Sequence, residues 1–546
     1  MSVGQALLLA FIAGFAYFSR RFMGDLFLER AIVLGPVTGL ILGDLPTGLV
    51  VGASLELIFI GAADIGGSVP PNLAIGSILG TALAIDSGLD PGQALLVAVP
   101  AALLGSFGEL LAKAVSSVFV TGAERYADRG STRGITAMLH LGNLVHFLCI
   151  AVPTYLGLVL GNDVVRGLAD SIRGPVGDGL AVAGAVLPAL GFALLMNTLV
   201  TTSLLPFFFI GFLLAAYTGF GVLGVALLGA MIAALWISRK GGIRLVRAES
   251  DEEAGALVPK KDQRRLFWRS FAVQSAFSFD RMQAIGFTWG MMPLLKRIYP
   301  DRTDLSAALK RHLTFFNTHP WLPGPIYALV ADLETRHATK PVKQPAEKKD
   351  GVNGSAVADD IGASDVSVQT IQGVKGSLMG PLAGVGDSAF HGTLRPIFSG
   401  IGASLGMQAN LLAPLIFLVP VNIVHVVVRW LTLKAGFRLG SRLFERIDQS
   451  ALRRLMEGAS ITGLMGVGAL VGTWLVVNVP LSYIEGKATI KLQEMLDHIM
   501  PKLVPLLITL LVFWLVRRGA NAVLILIGLA VGGFALGALG VLGVPS

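Results

Sequence analysis

The chain has 546 residues, 53% hydrophobic and only 14% charged, with a mean hydropathy of +0.71; soluble domains carry about 25% charged residues, so a soluble enzyme or binding module is excluded. Long apolar runs point to an all-α polytopic membrane protein rather than the alternating strands of a barrel. The net charge of +8 sits in loops flanking apolar runs, where it reports topology and suggests no nucleic-acid partner, and the single cysteine, Cys149, allows no intrachain disulfide and no Cys/His metal spacing, so neither cofactor nor metal is expected.

Residues 1–239 hold the apolar runs Ala6–Phe18, Ala31–Leu42, Gly48–Ala62, Leu73–Ile85, Ala94–Phe107, Met138–Leu160, Leu180–Val200 and Leu204–Ile237. Several are shorter than the ~20 residues a span requires. The first lacks a basic leader and an A-x-A site, so it reads as a membrane element, not a removed signal. The last contains Pro206, Gly211, Gly219, Gly221 and Gly224 and reads as two segments. Residues 240–269 form a basic linker, placed in the cytoplasm by its Lys/Arg excess, with a second basic cluster, Arg125, Arg129 and Arg133, on the same side.

Residues 270–546 begin with mixed charges, aromatics and prolines. Thr303 or Asp304 is expected to cap a helix with the apolar stripe Leu305, Ala308, Leu309, Leu313 and Phe316 and with Lys310 and Arg311 off it. It would lie on the membrane surface or pack on the body. Residues 340–372 read as a disordered loop. Spans resume at Asn410–Val428, Ile461–Val477, Leu503–Val516 and Ala522–Val544, with an interfacial helix over Ser441–Met456.

Two stretches, one per half, combine glycine and proline with carboxylates. Leu55–Ala74 carries Gly61, Gly66, Gly67, Pro70 and Pro71 among Glu56, Asp64 and Asn72. Gly373–Phe390 carries five glycines and Pro381 before Asp387. Interrupted segments in corresponding places are the sequence signature of a transporter site near the midplane. The expectation is that two broken or re-entrant pieces meet inside the bilayer and jointly hold the substrate. Glu56 and Asp387 are the first candidates, because an intramembrane carboxylate is costly; the competing readings are a structural ion pair and a helix cap. Asp64 and Asn72 flank the first break, where turn chemistry competes. Asn197 is either a site amide or an interhelical hydrogen bond. Trp321 either stacks on a substrate ring or anchors at the interface.

Several strings resemble the mannose-type sugar phosphotransferase system. GDLPTG (43–48), the LEL of GASLELIFIG, DIGGSVPPNLA and LLPFFFIGFLLAAYT (204–218) are similar to its membrane subunit IIC. FAVQSAFSFDRMQAIGF (271–287), LKRHLTFFNTHP (309–320), GSLMGPLAGVGDSAF (376–390), LMEGASITGLMGVGALV (455–471) and IMPKLVPLL (499–507) resemble subunit IID, in family order. The resemblance implies a IIC–IID fusion in a bacterial inner membrane, an elevator-type transporter assembled as a trimer. It also implies hexose or amino-sugar substrates and separate IIA and IIB proteins that carry the phosphoryl group. Within the IID-like strings, Gln274, Arg281, Gln283, Asn317 and His319 become site candidates, with helix capping and a satisfied interior imidazole as the competing readings of the last two. The chain departs from the family at Asp280 (usually glutamate), Ser388 (usually proline) and His391 (usually aromatic).

Three function classes stay open at this point. A phosphotransferase permease requires partner phosphocarriers, since none of the eight histidines lies in a soluble domain. A facilitative or ion-coupled sugar permease would use Glu56 and Asp387 for protons or cations. A membrane enzyme or receptor is disfavoured, because no nucleophile, base and metal set is clustered.

Overall fold

Apolar segments in lipid must satisfy their own backbone, and a helix does so within one segment. The computed structural model is helical almost throughout and describes residues 1–61, 71–89, 91–169, 175–200, 203–239, 257–339, 366–439, 449–485 and 488–544. Among these, five helices are long and apolar enough to cross a bilayer: Val3–Phe22, Gly92–Asp128, Thr132–Gly161, Val222–Arg239 and Ala413–Arg438. A sixth candidate is bent, with Leu492–Ile499 and Leu503–Arg517 meeting at 73°. Other apolar helices, such as Ala31–Leu42 and Leu45–Ile58, have 10–17 residues and pack against one another. A short antiparallel hairpin, Ser482–Glu485 with Ala488–Lys491, completes the described elements. Most of the 240–269 linker, most of the 340–372 loop and part of the Ser441–Met456 segment lie outside the described residues.

Three local expectations are corrected. The run Ala94–Phe107 belongs to a helix that continues over Pro91–Asp128. The charges beyond Phe107 are buried: Glu109 lies 3.0 Å from Lys113 and 3.1 Å from Arg21. Gly373–Phe390 is not unwound. Val368–Gly386 is one helix with Pro381 inside it, capped by Ser367, and it passes into a π-helical stretch, Asp387–Leu394, and then into the helix Arg395–Gly406. Its propensity cost is offset by tertiary packing, since Ile371, Lys375 and Leu382 are buried and the Lys375 ammonium donates to the carbonyls of His312 (3.0 Å) and Thr314 (3.2 Å). Finally, Asp301, not Thr303 or Asp304, caps the helix Arg302–His312, accepting from the Thr303 N–H at 2.7 Å. The expected stripe is buried. So is Arg311, which pairs with Glu334 at 2.7 Å instead of facing outward.

The two halves of the sequence interlock in space. Gln449–Trp474 packs on Leu205–Thr218 and Val222–Arg239, Leu503–Arg517 on Pro188–Leu199, and Ala522–Ala538 on Pro175–Val186. Small residues allow this approach. A Cβ on Gly211 would fall 2.0 Å from the Met465 carbonyl oxygen, and one on Gly468 would fall 2.1 Å from that of Phe208. The packing predicts that Gly211→Ala or Gly468→Ala lowers stability by roughly 1–3 kcal/mol through overpacking, read as earlier thermal unfolding in detergent. Gly376→Ala, where a Cβ meets open space, should be neutral or stabilising by up to ~1 kcal/mol.

Candidate functional site

The site is built on two unusual backbones. Between Val3–Phe22 and Ala31–Leu42 the chain turns through Gly24 (φ 95°), Asp25 (φ 66°) and Phe27 (φ 60°). Left-handed residues other than glycine are costly, least so for Asp and Asn, and this turn buries the Asp25 side chain completely. Across the seam, the π-helical stretch places Asp387 and His391 on one face. Such widened turns are frequent at functional sites. His391 Nε2 donates to Asp25 Oδ2 at 3.1 Å, and Arg20 lies 3.6 Å from Asp25 Oδ1.

His319 faces the same place. A Cβ on Gly386 would fall 2.3 Å from His319 Cβ, so glycine is required for this approach. The imidazoles of His319 and His391 are 4.6 Å apart between centroids. Asp387 Oδ1 lies 4.0 Å from His319 Nε2 and 3.9 Å from His391 Nδ1. These groups line a cavity of about 50 Å³ with Gln274, Gln283, Asn317, Thr318 and Phe277. The Phe277 ring is backed by the buried Arg21 and Lys113 cations at 4.9 and 5.4 Å.

The outer partners set the hydrogen positions. His319 Nδ1 accepts the Trp321 backbone N–H at 3.2 Å, so in the neutral ring Nε2 carries the hydrogen and offers a donor. His391 gives its Nε2 hydrogen to Asp25 and offers Nδ1 as an acceptor. His319 Nε2, His391 Nδ1 and Gln274 Oε1 have no hydrogen-bond partner among the described residues, each costing about 1–3 kcal/mol if left unfilled. One nitrogen of each imidazole and one oxygen of Asp387 lie within 4.8 Å of one another, a spacing compatible with a cation. The donor set argues otherwise, since His319 presents a hydrogen there and not a lone pair. Alternating donors and acceptors suit hydroxyl groups. An oxygen about 2.8 Å from both His319 Nε2 and Asp387 Oδ1 would bridge them at ordinary hydrogen-bond length.

Five sequence candidates, Gln274, Gln283, Asn317, His319 and Asp387, therefore meet in one cavity. Gln283 is already engaged, donating to Thr318 O at 2.8 Å and accepting from Thr318 N at 3.1 Å, so it positions the segment that carries His319. Arg281 pairs with Glu124 of the first half at 3.3 Å. Asn72 caps Leu73–Ser87, accepting from Ile75 N at 3.1 Å. Asn197 is exposed, and Asp64 lies outside the described residues. Trp321 is fully buried and stacks on His425 at 4.6 Å, so it is no interface anchor. The sequence reading missed Asp25 and His391 as site residues. The i, i+4 spacing of Asp387 and His391 was the one local signal.

Glu56 is elsewhere on the same axis. Arg30 Nε donates to both of its oxygens, at 3.0 and 3.2 Å, and the Ser399 hydroxyl donates to it as well. Arg395 donates to Ile60 O at 3.0 Å. Ser399 follows Asp387 by 12 residues, roughly 18 Å along a helix, so Glu56 and Asp387 do not share the cavity.

A family model described as the sorbose-specific IIC component of the phosphotransferase system matches residues 3–235. One described as the mannose/fructose/sorbose family IID component matches residues 257–355 and 351–542. The chain belongs to the mannose family of phosphotransferase-system permeases. It joins a IIC and a IID unit and is thus a membrane permease component of a sugar phosphotransferase system. The mannose-specific EIID component of Escherichia coli K12 is 39% identical over 293 residues, covering 52% of this chain and 95% of that protein. The sorbose-specific EIID component of Klebsiella pneumoniae is 40% identical over 291 residues, with 52% and 98% covered. On the IIC side, the fructose permease IIC component of Bacillus subtilis 168 is 31% identical over 232 residues, with 42% and 86% covered.

Removing one member of a buried ion pair strands the other and costs about 3–5 kcal/mol. Glu56→Ala in this permease should therefore reduce folded yield sharply, and Arg30→Leu combined with Glu56→Leu should recover part of it. Membrane-inserted, monodisperse protein is the measure. Equal yields for the single and double variants would argue against a structural pair.

Proposed function

We propose that the chain conducts a hexose or amino sugar into the cytoplasm, holding it in the cavity between His319, Asp387 and His391, for phosphorylation by a separate IIB protein charged by IIA. The observation that carries this reading is the set of unfilled donors and acceptors at the seam of the two halves. These are His319 Nε2–H, His391 Nδ1 and Gln274 Oε1, and with the neighbouring Asp387 carboxylate they supply the mixed polarity that vicinal hydroxyls need. Asn317 adds an amide, and Asp25 holds His391 in its tautomer. Gln283, Arg281, Asn72 and Glu56 act by positioning the elements around the cavity.

A cavity of about 50 Å³ holds a few waters, not a sugar. Substrate entry therefore requires the walls to separate. An elevator-like displacement of the segment bearing Asp387 and His391 against the IIC half would open it. Three copies of the chain are proposed to assemble, through apolar faces such as Leu104, Phe107 and Leu111, which are exposed in the single chain.

The decisive test is uptake of a labelled hexose panel into vesicles, with and without purified IIA and IIB. Uptake that depends on both proteins and yields sugar phosphate is expected. Accumulation of unmodified sugar without them would establish a facilitative or ion-coupled carrier instead. Asp387→Asn and His319→Ala should each weaken sugar binding at least about tenfold, the scale of one lost charge-assisted hydrogen bond, while the protein still assembles. Asp25→Asn should weaken it through His391, an effect that His391→Ala would make non-additive.

A further inference from the structure

We propose that a second, separate cavity in this permease binds the phosphate of an anionic phospholipid headgroup. This cavity, of about 640 Å³, is lined by Arg133 at the start of the helix Thr132–Ala169, Arg265 and Arg269 from Lys260–Ser270, and Lys296 and Arg297 at the end of Ala284–Ile298. It thus lies where one helix of the IIC half meets two helices of the IID half. It also joins two basic clusters that the positive-inside bias places on the cytoplasmic side.

Five cations converge there. Asp262 takes up part of their charge, lying 2.6 Å from Arg297 and 3.6 Å from Arg265, and the lining keeps a net positive charge. Like charges lining one cavity repel, and a bound anion reduces that cost. The start of Thr132–Ala169 also lines the cavity through Thr132 and Arg133, with Thr136 one turn on, which adds the positive end of a helix dipole.

The surroundings identify the source of the anion. Arg269 is stacked on the Trp289 ring at 4.1 Å and donates to its carbonyl at 2.9 Å. Next to it Trp268 is 61% exposed, and Trp430, which packs on Phe267 at 5.1 Å, is 44% exposed. Exposed tryptophans beside a basic rim mark the headgroup level of a bilayer. A basic pocket between helices at that level on the cytoplasmic side has the chemistry of a headgroup site, and its volume falls within the ~300–1,000 Å³ of ordinary ligand pockets. A lipid held there would bridge the IIC and IID halves.

The test uses the full chain purified in detergent and delipidated. Phosphatidylglycerol, phosphatidylcholine, glycerophosphate and inorganic phosphate are added separately, and binding is read by native mass spectrometry together with the unfolding temperature. Phosphatidylglycerol should be retained about tenfold more than phosphatidylcholine and should raise the unfolding temperature, with both effects weakened by salt. Lys296→Gln and Arg265→Gln should lose this preference, whereas Arg125→Gln, in the same basic cluster but outside the cavity, should keep it. Equal retention of the two lipids, or an unchanged preference in Lys296→Gln and Arg265→Gln, would overturn the proposal. Displacement of the lipid by inorganic phosphate or glycerophosphate at similar concentration would assign the cavity to a soluble phosphate and overturn it too.

Discussion

The buried pair of Arg30 and Glu56, closed by the Ser399 hydroxyl, sets the geometry around it. Two charges withdrawn from water are tolerated only when geometry and additional hydrogen bonds are complete. Arg30 stands at the N-terminus of Ala31–Leu42, Glu56 near the end of Leu45–Ile58, and Ser399 on Arg395–Gly406. Completing the pair therefore fixes the rotation of a IID helix against a IIC hairpin. Arg395 adds a second tie to the Ile60 carbonyl. Because Arg395–Gly406 continues directly from the π-helical stretch, the same constraint sets where Asp387 and His391 point.

That coupling explains how a glycine-rich helix comes to line the candidate cavity without unwinding. The π-helical turn widens the spacing of side chains, and Gly386 lets His319 approach the helix backbone. Asp25, reaching across from a left-handed turn, then fixes one imidazole tautomer, and the Trp321 N–H fixes the other. The result is a small space in which hydrogen-bond donors and acceptors lie side by side. Its polarity comes from the outer partners of each ring as much as from the rings themselves.

Much of this was legible in the chain. Hydropathy marked the helical class, and Gly219 divided Leu205–Thr218 from Val222–Arg239. The stripe marked a helix at Arg302–His312 but left open whether it lies on the membrane surface or packs on the body, and its last members, Leu313 and Phe316, fall beyond the helix end. Asp387, His319, Gln274 and Asn317 are candidates from their setting in apolar or signature segments, and the structure brings them to one cavity. What stayed hidden depends on long-range pairing. Asp25 and His391 are separated by 366 positions, and nothing local to either announces the other. Glu109 and Lys113 neutralise each other one helical turn apart, and the second cation that Glu109 takes up, Arg21, lies 88 residues away from it. Glycine and proline were read as breakers because propensity is a local quantity, whereas the helix Val368–Gly386 is held by tertiary contacts such as the buried Lys375.

The covalent joining of IIC and IID units acquires its meaning from the seam. The IIC and IID relatives each align with only one half of this chain, yet neither half of the structure is self-sufficient. Gly211 and Gly468 bring backbones of opposite halves into contact, Glu56 needs Ser399, and the cavity needs Asp25 as well as Asp387. Such an interface resembles a domain core divided between two polypeptides. Associating two free polypeptides costs several kcal/mol in lost translational and rotational freedom. Joining them replaces that bimolecular step with an intramolecular one at high effective concentration. The fusion thus changes how readily the seam forms and leaves what it is made of untouched.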